Sequence, residues 1–262
     1  MDSIATAVNA FVTRLVDQVE NDTERSNESD EFDRPASIDV RNVNGQIAIV
    51  GRERETVAMR YTKRGPSEGA LEQVTVETWE DEGEGLHVEV VGAESSPVTV
   101  DIVLEVPRSV PIDSVRTTNG AIDVRETSGD STIRTQNGAI TVTDHNGYVD
   151  IRCTNGTIEA TAVAGVGRVE TVNGAITLAL DSVRSDVDVR SSTGEIDLLV
   201  GDIDSTVTME TNIGSIEAPL LGESRSSIGH TTVTGRLGTG EHELNVINSV
   251  GSIRFDSIEM VE

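Results

Sequence analysis

The chain has 262 residues, and its 46 Asp and Glu against 20 Lys and Arg leave a formal net charge of −26. That balance leaves no basic patch for a nucleic-acid backbone, so no nucleic-acid partner is expected. One cysteine, Cys153, excludes an intrachain disulfide framework, and no run of about 18 apolar residues is present to span a membrane.

Residues 3–20, SIATAVNAFVTRLVDQVE, place Ile4, Val8, Phe11, Val12, Leu15, Val16 and Val19 on one stripe at helical spacing. The segment 1–20 is expected to be an amphipathic helix, with Ser3 able to cap its first turn. Such a helix docks on the protein's own body or on a second copy, and Val8, Phe11, Val12, Leu15 and Val16 are the candidate self-association residues. The alternative is a peripheral membrane contact through residues 3–20, although Arg14 is the only cation on the polar face. Residues 21–35 are polar and acidic and are expected to form a flexible linker. No secretion signal is recognisable, so the expected location is the cytoplasm, with membrane association left open.

From residue 36 the apolar period changes to two. SIDVRNVNGQIAIVG alternates Ile38, Val40, Ile47 and Ile49 around Asn44-Gly45, and further strands are expected at 57–62, 72–79, 86–91 and 97–107. Residues 36–110 thus form an N-terminal β region, continuous with a regular repeat over 111–262.

In that repeat VRTTNGAIDV returns as IRTQNGAITV, IRCTNGTIEA and VETVNGAITL. Gly120, Gly138, Gly156 and Gly174 are 18 residues apart, Gly194 and Gly214 follow at 20, and NSVGSIRF brings the phrase back at Gly251. Val115, Ile133, Ile151, Val169, Val189, Met209 and Val246 precede these glycines by five residues. An isoleucine follows each by two, and Asn44-Gly45 fits the same template. Two short half-buried strands cannot fold alone, whereas stacked copies can pair backbone with backbone. The expected fold is therefore all-β: a parallel β-helix, or β-solenoid, of about 18–20 residues per coil, preceded by the amphipathic helix. Asn119, Gly120, Asn137, Gly138, Asn155, Gly156, Asn173 and Gly174 would form its turn ladder, with glycine supplying positive φ. The alternative, an Asn-Gly hairpin, would give antiparallel pairs. Cys153 occupies the column of Thr117, Thr135 and Thr171 and is expected to be a small inward residue.

No catalytic, cofactor-binding or metal-binding residues stand out. Asp and Glu are spread along the whole chain, so no glycosidase pair can be singled out. No repeated G-x-D marks calcium. His87, His145, His230 and His242 lack zinc-ligand spacing and are expected at the surface. Arg116, Arg134 and Arg152 form an outward column that Glu170 interrupts. Asp123 and Glu159 could neutralise it, or the stripe could meet an acidic neighbour.

The pattern V-[RE]-T-x-N-G-x-I after LEVPRSVP (104–111) resembles the "putative adhesin" β-strand-repeat proteins of bacteria and archaea, over about residues 36–256. The resemblance implies no catalytic residues and no cofactor. The architecture expected is also similar to that of bactofilin and halofilin cytoskeletal proteins, and the acidic, lysine-poor composition resembles that of haloarchaeal proteins, whose self-repulsion salt screens. The leading expectation is a non-enzymatic scaffold in a halophilic cytoplasm, partnering itself or a related β-solenoid protein. An envelope-associated adhesin or binding module is the alternative, and a polysaccharide-active enzyme a distant third.

Overall fold

The computed structural model describes residues 24–258. Alternating Val/Ile and polar residues, broken by Gly, Pro and acidic loops, produce strands throughout. These are β1 (Glu24–Phe32), β2 (Ile38–Arg41), β3 (Ile47–Arg52), β4 (Val57–Gly65), β5 (Thr75–Glu80), β6 (Leu86–Val91), β7 (Thr99–Pro107), β8 (Ile112–Asn119), β9 (Ile122–Ser128) and β10 (Ser131–Asn137). They continue as β11 (Ile140–Asn155), β12 (Ile158–Asn173), β13 (Ile176–Leu180), β14 (Val187–Thr193), β15 (Ile196–Val200), β16 (Ser205–Ala218), β17 (Glu223–Leu237), β18 (His242–Val250) and β19 (Ile253–Ser257). One five-residue helix, α1 (Glu68–Glu72), lies between β4 and β5. No helix among the described residues is long and apolar enough to cross a membrane.

The repeated phrase sets the pairing. Ile133 lies beside Val115 and Ile151, and Ile140 beside Ile122 and Ile158, all in parallel. Val115, Ile133, Ile151, Val169, Val189, Val246 and Met209 are fully buried, as are the isoleucines that follow the glycines. Each such side chain contributes roughly 1.5–3 kcal/mol of burial.

The β-solenoid expectation is corrected by the order in which strands pair. A solenoid stacks its units in chain order, and here that order fails at both ends. β2 lies between β6 and β8, and β3 between β7 and β9. β18, late in the chain, sits between β14 and β16. Parallel pairings then close a seven-strand barrel, β12–β14–β18–β16–β19–β15–β13 and back to β12. Extra strands extend it, several of them antiparallel: β1 on β4, β4 on β7, β5 on β6 and β17 on β16. The physical reason is degeneracy. Any unit with the same phrase satisfies a neighbour's backbone and core, so the phrase dictates parallel, in-register pairing without dictating which copy pairs with which.

The amphipathic helix expected over residues 1–20 lies outside the described residues, and the described chain begins with strand β1. Strand β1 falls in the stretch expected as a flexible linker. Its polar side chains reach across to β4, with Tyr61 Oη donating to Glu28 Oε2 at 2.6 Å and Thr62 Oγ1 to Asn27 Oδ1 at 2.8 Å. Cross-strand hydrogen bonds stand in for the missing apolar face.

The two corners of the unit differ. At the Asn-Gly corner, Gly138, Gly156 and Gly174 have φ of 149°, 156° and 156°. A Cβ on Gly156 would sit 2.1 Å from the Gly138 carbonyl oxygen. At the second corner, Glu126, Asp144 and Ala162 hold φ of 56°, 55° and 51° in consecutive units. That left-handed backbone costs a non-glycine residue roughly 1–2 kcal/mol. Gly156→Ala is therefore expected to destabilise by more than about 3 kcal/mol, whereas Ala162→Gly is expected to stabilise by about 0.5–1 kcal/mol. Urea unfolding of both variants checks this, and equal effects of one sign would contradict the corner assignment.

Candidate functional site

Because units pair like with like, each side-chain position becomes a column. Asn44, Asn119, Asn137, Asn155 and Asn173 form one of them. Each amide donates to the preceding carbonyl: Asn119 to Asn44 at 2.8 Å, Asn137 to Asn119 at 2.8 Å, Asn155 to Asn137 at 2.8 Å and Asn173 to Asn155 at 2.9 Å. None of these asparagines has positive φ among the described residues, and the strands on either side of each Asn-Gly pair with other units. The pair is thus a corner, and the hairpin alternative does not apply.

A second column lies inside. Thr117, Thr135, Cys153, Thr171, Ser191, Asn248 and Thr211 each donate to the glycine carbonyl of the adjoining unit, at 2.8–3.3 Å. The close glycine approach leaves that carbonyl facing the interior, and a short hydroxyl is the smallest group that can reach it. Cys153 is buried and fills the same place, with Sγ 3.3 Å from the Gly138 oxygen; burial pushes its thiol pKa up.

His145 is corrected from the expected surface position: it is 1% exposed. Its Nδ1 lies 2.9 Å from Thr127 Oγ1 and its Nε2 2.7 Å from the Gly129 carbonyl. The carbonyl can only accept, so Nε2 carries the proton and Nδ1 accepts from the threonine. Burial holds the imidazole pKa below its ordinary value of 6.5, outweighing the Gly129 contact and the Asp130 charge.

The outward face of β2, β8, β10 and β11 carries the arginines. Arg41, Arg116, Arg134 and Arg152 lie side by side in register, with Glu170 next on β12. Arg41 is neutralised by Asp39 at 3.0 Å, and Arg152 faces Glu170 at 3.7 Å. Arg116 and Arg134 make no ion pair with a described residue, and no acceptor reaches the buried Nε of Arg134 or Arg152. The expected compensation by Asp123 and Glu159 is corrected: Asp123 belongs to the other face, where Arg125 donates to both its oxygens at 2.7 Å. At the far end of the stripe, a groove of about 450 Å³ is lined by Asp150, Arg152, Arg168, Asp186, Asp188 and Glu243, and is rich in carboxylates. Arg168 and Arg190 approach Asp188 at 3.6 and 3.1 Å there.

At the opposite end, Trp79 on β5 is 42% exposed and stacks on His87 of β6, with centroids 5.1 Å apart and planes 8° from parallel. Asp81 Oδ2, 2.9 Å from His87 Nε2, holds the ring in place. His87 is in register with Asp39, two residues from Arg41, so the aromatic pair and the arginine stripe share one face. Sequence reasoning found the stripe but not this pair, because Trp79 and His87 are joined only by the antiparallel β5–β6 register. Among the described residues no three His, Cys, Asp or Glu are placed to hold a metal ion. Val8, Phe11, Val12, Leu15 and Val16 lie outside the described residues.

No family model and no curated protein matches the chain. Solved structures similar over most of its length carry adhesion or lipid-binding names. A "putative cell adhesion protein" from Clostridium sporogenes is 12% identical, with 90% of this chain and 100% of that chain covered and a TM-score of 0.35. A "putative adhesin" from Parabacteroides distasonis is 10% identical, with 89% and 97% covered and a TM-score of 0.41. A "putative lipid binding protein" from the same species is 10% identical, with 89% and 97% covered and a TM-score of 0.26.

The histidine yields a pH dependence. A folded-state pKa below 6.5 means the unfolded chain binds the extra proton as pH falls through that value, so stability is present above 6.5 and lost below it. Between about pH 7 and pH 5 the chain is expected to lose more stability than His145→Gln does. Parallel pH profiles in urea unfolding of the two proteins check this.

Proposed function

We propose that the chain is a non-enzymatic, adhesin-type binding module whose binding face is the outward surface of β5, β6, β2, β8, β10 and β11. The observation that carries this reading is the pair Arg116 and Arg134, which make no ion pair among the described residues of a chain of net charge −26. Acid to neutralise them is abundant, and Arg125 on the other face has it. Like charges in register across adjacent strands destabilise a sheet. A column that costs stability and could easily be neutralised fits a surface kept for a partner. The phrase resembling adhesin β-strand-repeat proteins is consistent with such a role, and nothing in this reading needs a catalytic group.

A self-associating scaffold is the second reading. It is favoured by the apolar run that continues the asparagine column, where Val250 and Ile213 lie side by side and are 43% and 58% exposed. It also draws on residues 1–20 as an oligomerisation segment. Retention of the full chain on immobilised envelope polysaccharides and proteins, with the urea-unfolded chain as control, tests the first reading. Specific retention by the folded chain is the expected outcome. No retention, together with a mass in sedimentation that rises with concentration and falls on deleting residues 1–20, would favour the scaffold instead.

A further inference from the structure

We infer that the column Arg116–Arg134–Arg152 binds an acidic polysaccharide whose chain runs across the strands toward the Trp79–His87 pair; this rests on the binding-module reading and specifies its ligand. Three features point to this ligand class. The first is spacing. The three arginines stand on β8, β10 and β11, successive strands about 4.8 Å apart. That step is close to the advance of one sugar unit along an extended glycan. A carboxylate or sulfate on successive units would meet successive guanidiniums, each able to grip it with two parallel N–H bonds.

The second is the absence of competition nearby. The residues two positions from Arg116 and Arg134 on their own strands are Ser114, Thr118, Thr132 and Gln136, none of them charged; Arg152 has Thr154 on one side and Asp150 on the other. These hydroxyls and the amide can bond sugar hydroxyls. Carboxylates border this pair of arginines on each side: Asp39 pairs with Arg41 and Glu89 of β6 is in register with Arg41, while Glu170 faces Arg152 and Asp150 stands on β11 beside Thr132. They mark the stripe as a local site of about three guanidiniums.

The third is the aromatic pair on the same face. An exposed indole held flat by a stacked imidazole presents an apolar ring surface, which matches the C–H face of a sugar ring. An acidic polypeptide could pair with the arginines, but it has no flat C–H face for Trp79. The net charge of −26 opposes approach of any polyanion at long range. Beyond about 8 Å that repulsion is screened at physiological ionic strength, and at about 1 M salt beyond about 3 Å, so contact pairs formed at the stripe decide binding.

The test uses the full chain, with Arg116→Gln/Arg134→Gln and Trp79→Ala variants. The probes are polygalacturonate, dextran sulfate, neutral dextran and polyglutamate, each in about 0.15 M and about 1 M salt. Thermal unfolding accompanies each variant. The double arginine variant is expected to fold with unchanged or raised Tm, because a like-charge contact is removed. It is expected to lose about tenfold in affinity for the acidic glycans. Trp79→Ala is expected to weaken glycan binding without affecting the weaker binding of polyglutamate. Acidic glycan binding that survives the double arginine substitution would overturn the proposal. So would polyglutamate bound as tightly as the glycans and indifferent to Trp79, which would identify a protein partner. Binding of neutral dextran with equal strength would overturn the anionic ligand while leaving the binding-module reading intact. A change of sedimenting mass in the double variant without ligand would assign the stripe to contact between copies and overturn both.

Discussion

Everything regular in this protein depends on how closely one glycine approaches another. A Cβ placed on Gly120, Gly138, Gly156, Gly174, Gly194, Gly251 or Gly214 would fall 1.8–2.1 Å from the carbonyl oxygen of the adjoining glycine, far inside any possible contact. The chain can turn this corner at strand spacing only where the approaching residue is glycine, and Gly45 makes the same approach to the Val100 carbonyl oxygen, at 2.0 Å for an added Cβ. Register is thereby locked at one point per unit, and the period-2 alternation carries the lock along both flanking strands. The isoleucine column, the hydroxyl column and the asparagine ladder are all consequences of that alignment.

Stacking like on like is favourable or unfavourable according to the side chain. An amide is donor and acceptor at once, so an asparagine column satisfies itself link by link. A hydroxyl one position further in does the same for the glycine carbonyl that the tight corner turns inward. Guanidinium is donor only, and a column of it can satisfy nothing and repels itself. The same register that makes Asn137 a structural asset makes Arg134 a liability. The contrast with Arg125, gripped by Asp123 on the other face, shows that local neutralisation was sterically available.

Much of the local structure was legible in the sequence, and for a definite reason. Val115, Ile122 and their counterparts obey a two-residue period, the glycine spacing is visible by eye, and Cys153 stands where its neighbours carry threonine. The order of stacking was not legible, because NSVGSIRF offers the same phrase as the units before it and can pair wherever that phrase is accepted. It enters between β14 and β16 and turns an expected open stack into a closed ring of parallel strands. Strand β1 was hidden because its partner groups, such as Tyr61 and Thr62, lie more than thirty residues away. His145 was misplaced because a histidine among polar residues looks solvated, and only the fold brings Thr127 and Gly129 to its two nitrogens. The left-handed corner at Glu126, Asp144 and Ala162 left no glycine to announce it.

The candidate site was half legible for a related reason. The arginine column lies within the repeat and could be read at its 18-residue spacing. What gives it meaning lies elsewhere: which carboxylates reach it, and what shares its face. Asp123 is seven residues from Arg116 yet belongs to another face, while Trp79 is distant in the chain and shares the outward surface through β5, β6 and β2. A repeat therefore spells out its frame many times over. Its distinguishing chemistry arises where a non-repeated segment is laid against it, and here that segment is the antiparallel β5–β6 pair, which shares a face with Arg116 and Arg134, two arginines that make no ion pair among the described residues.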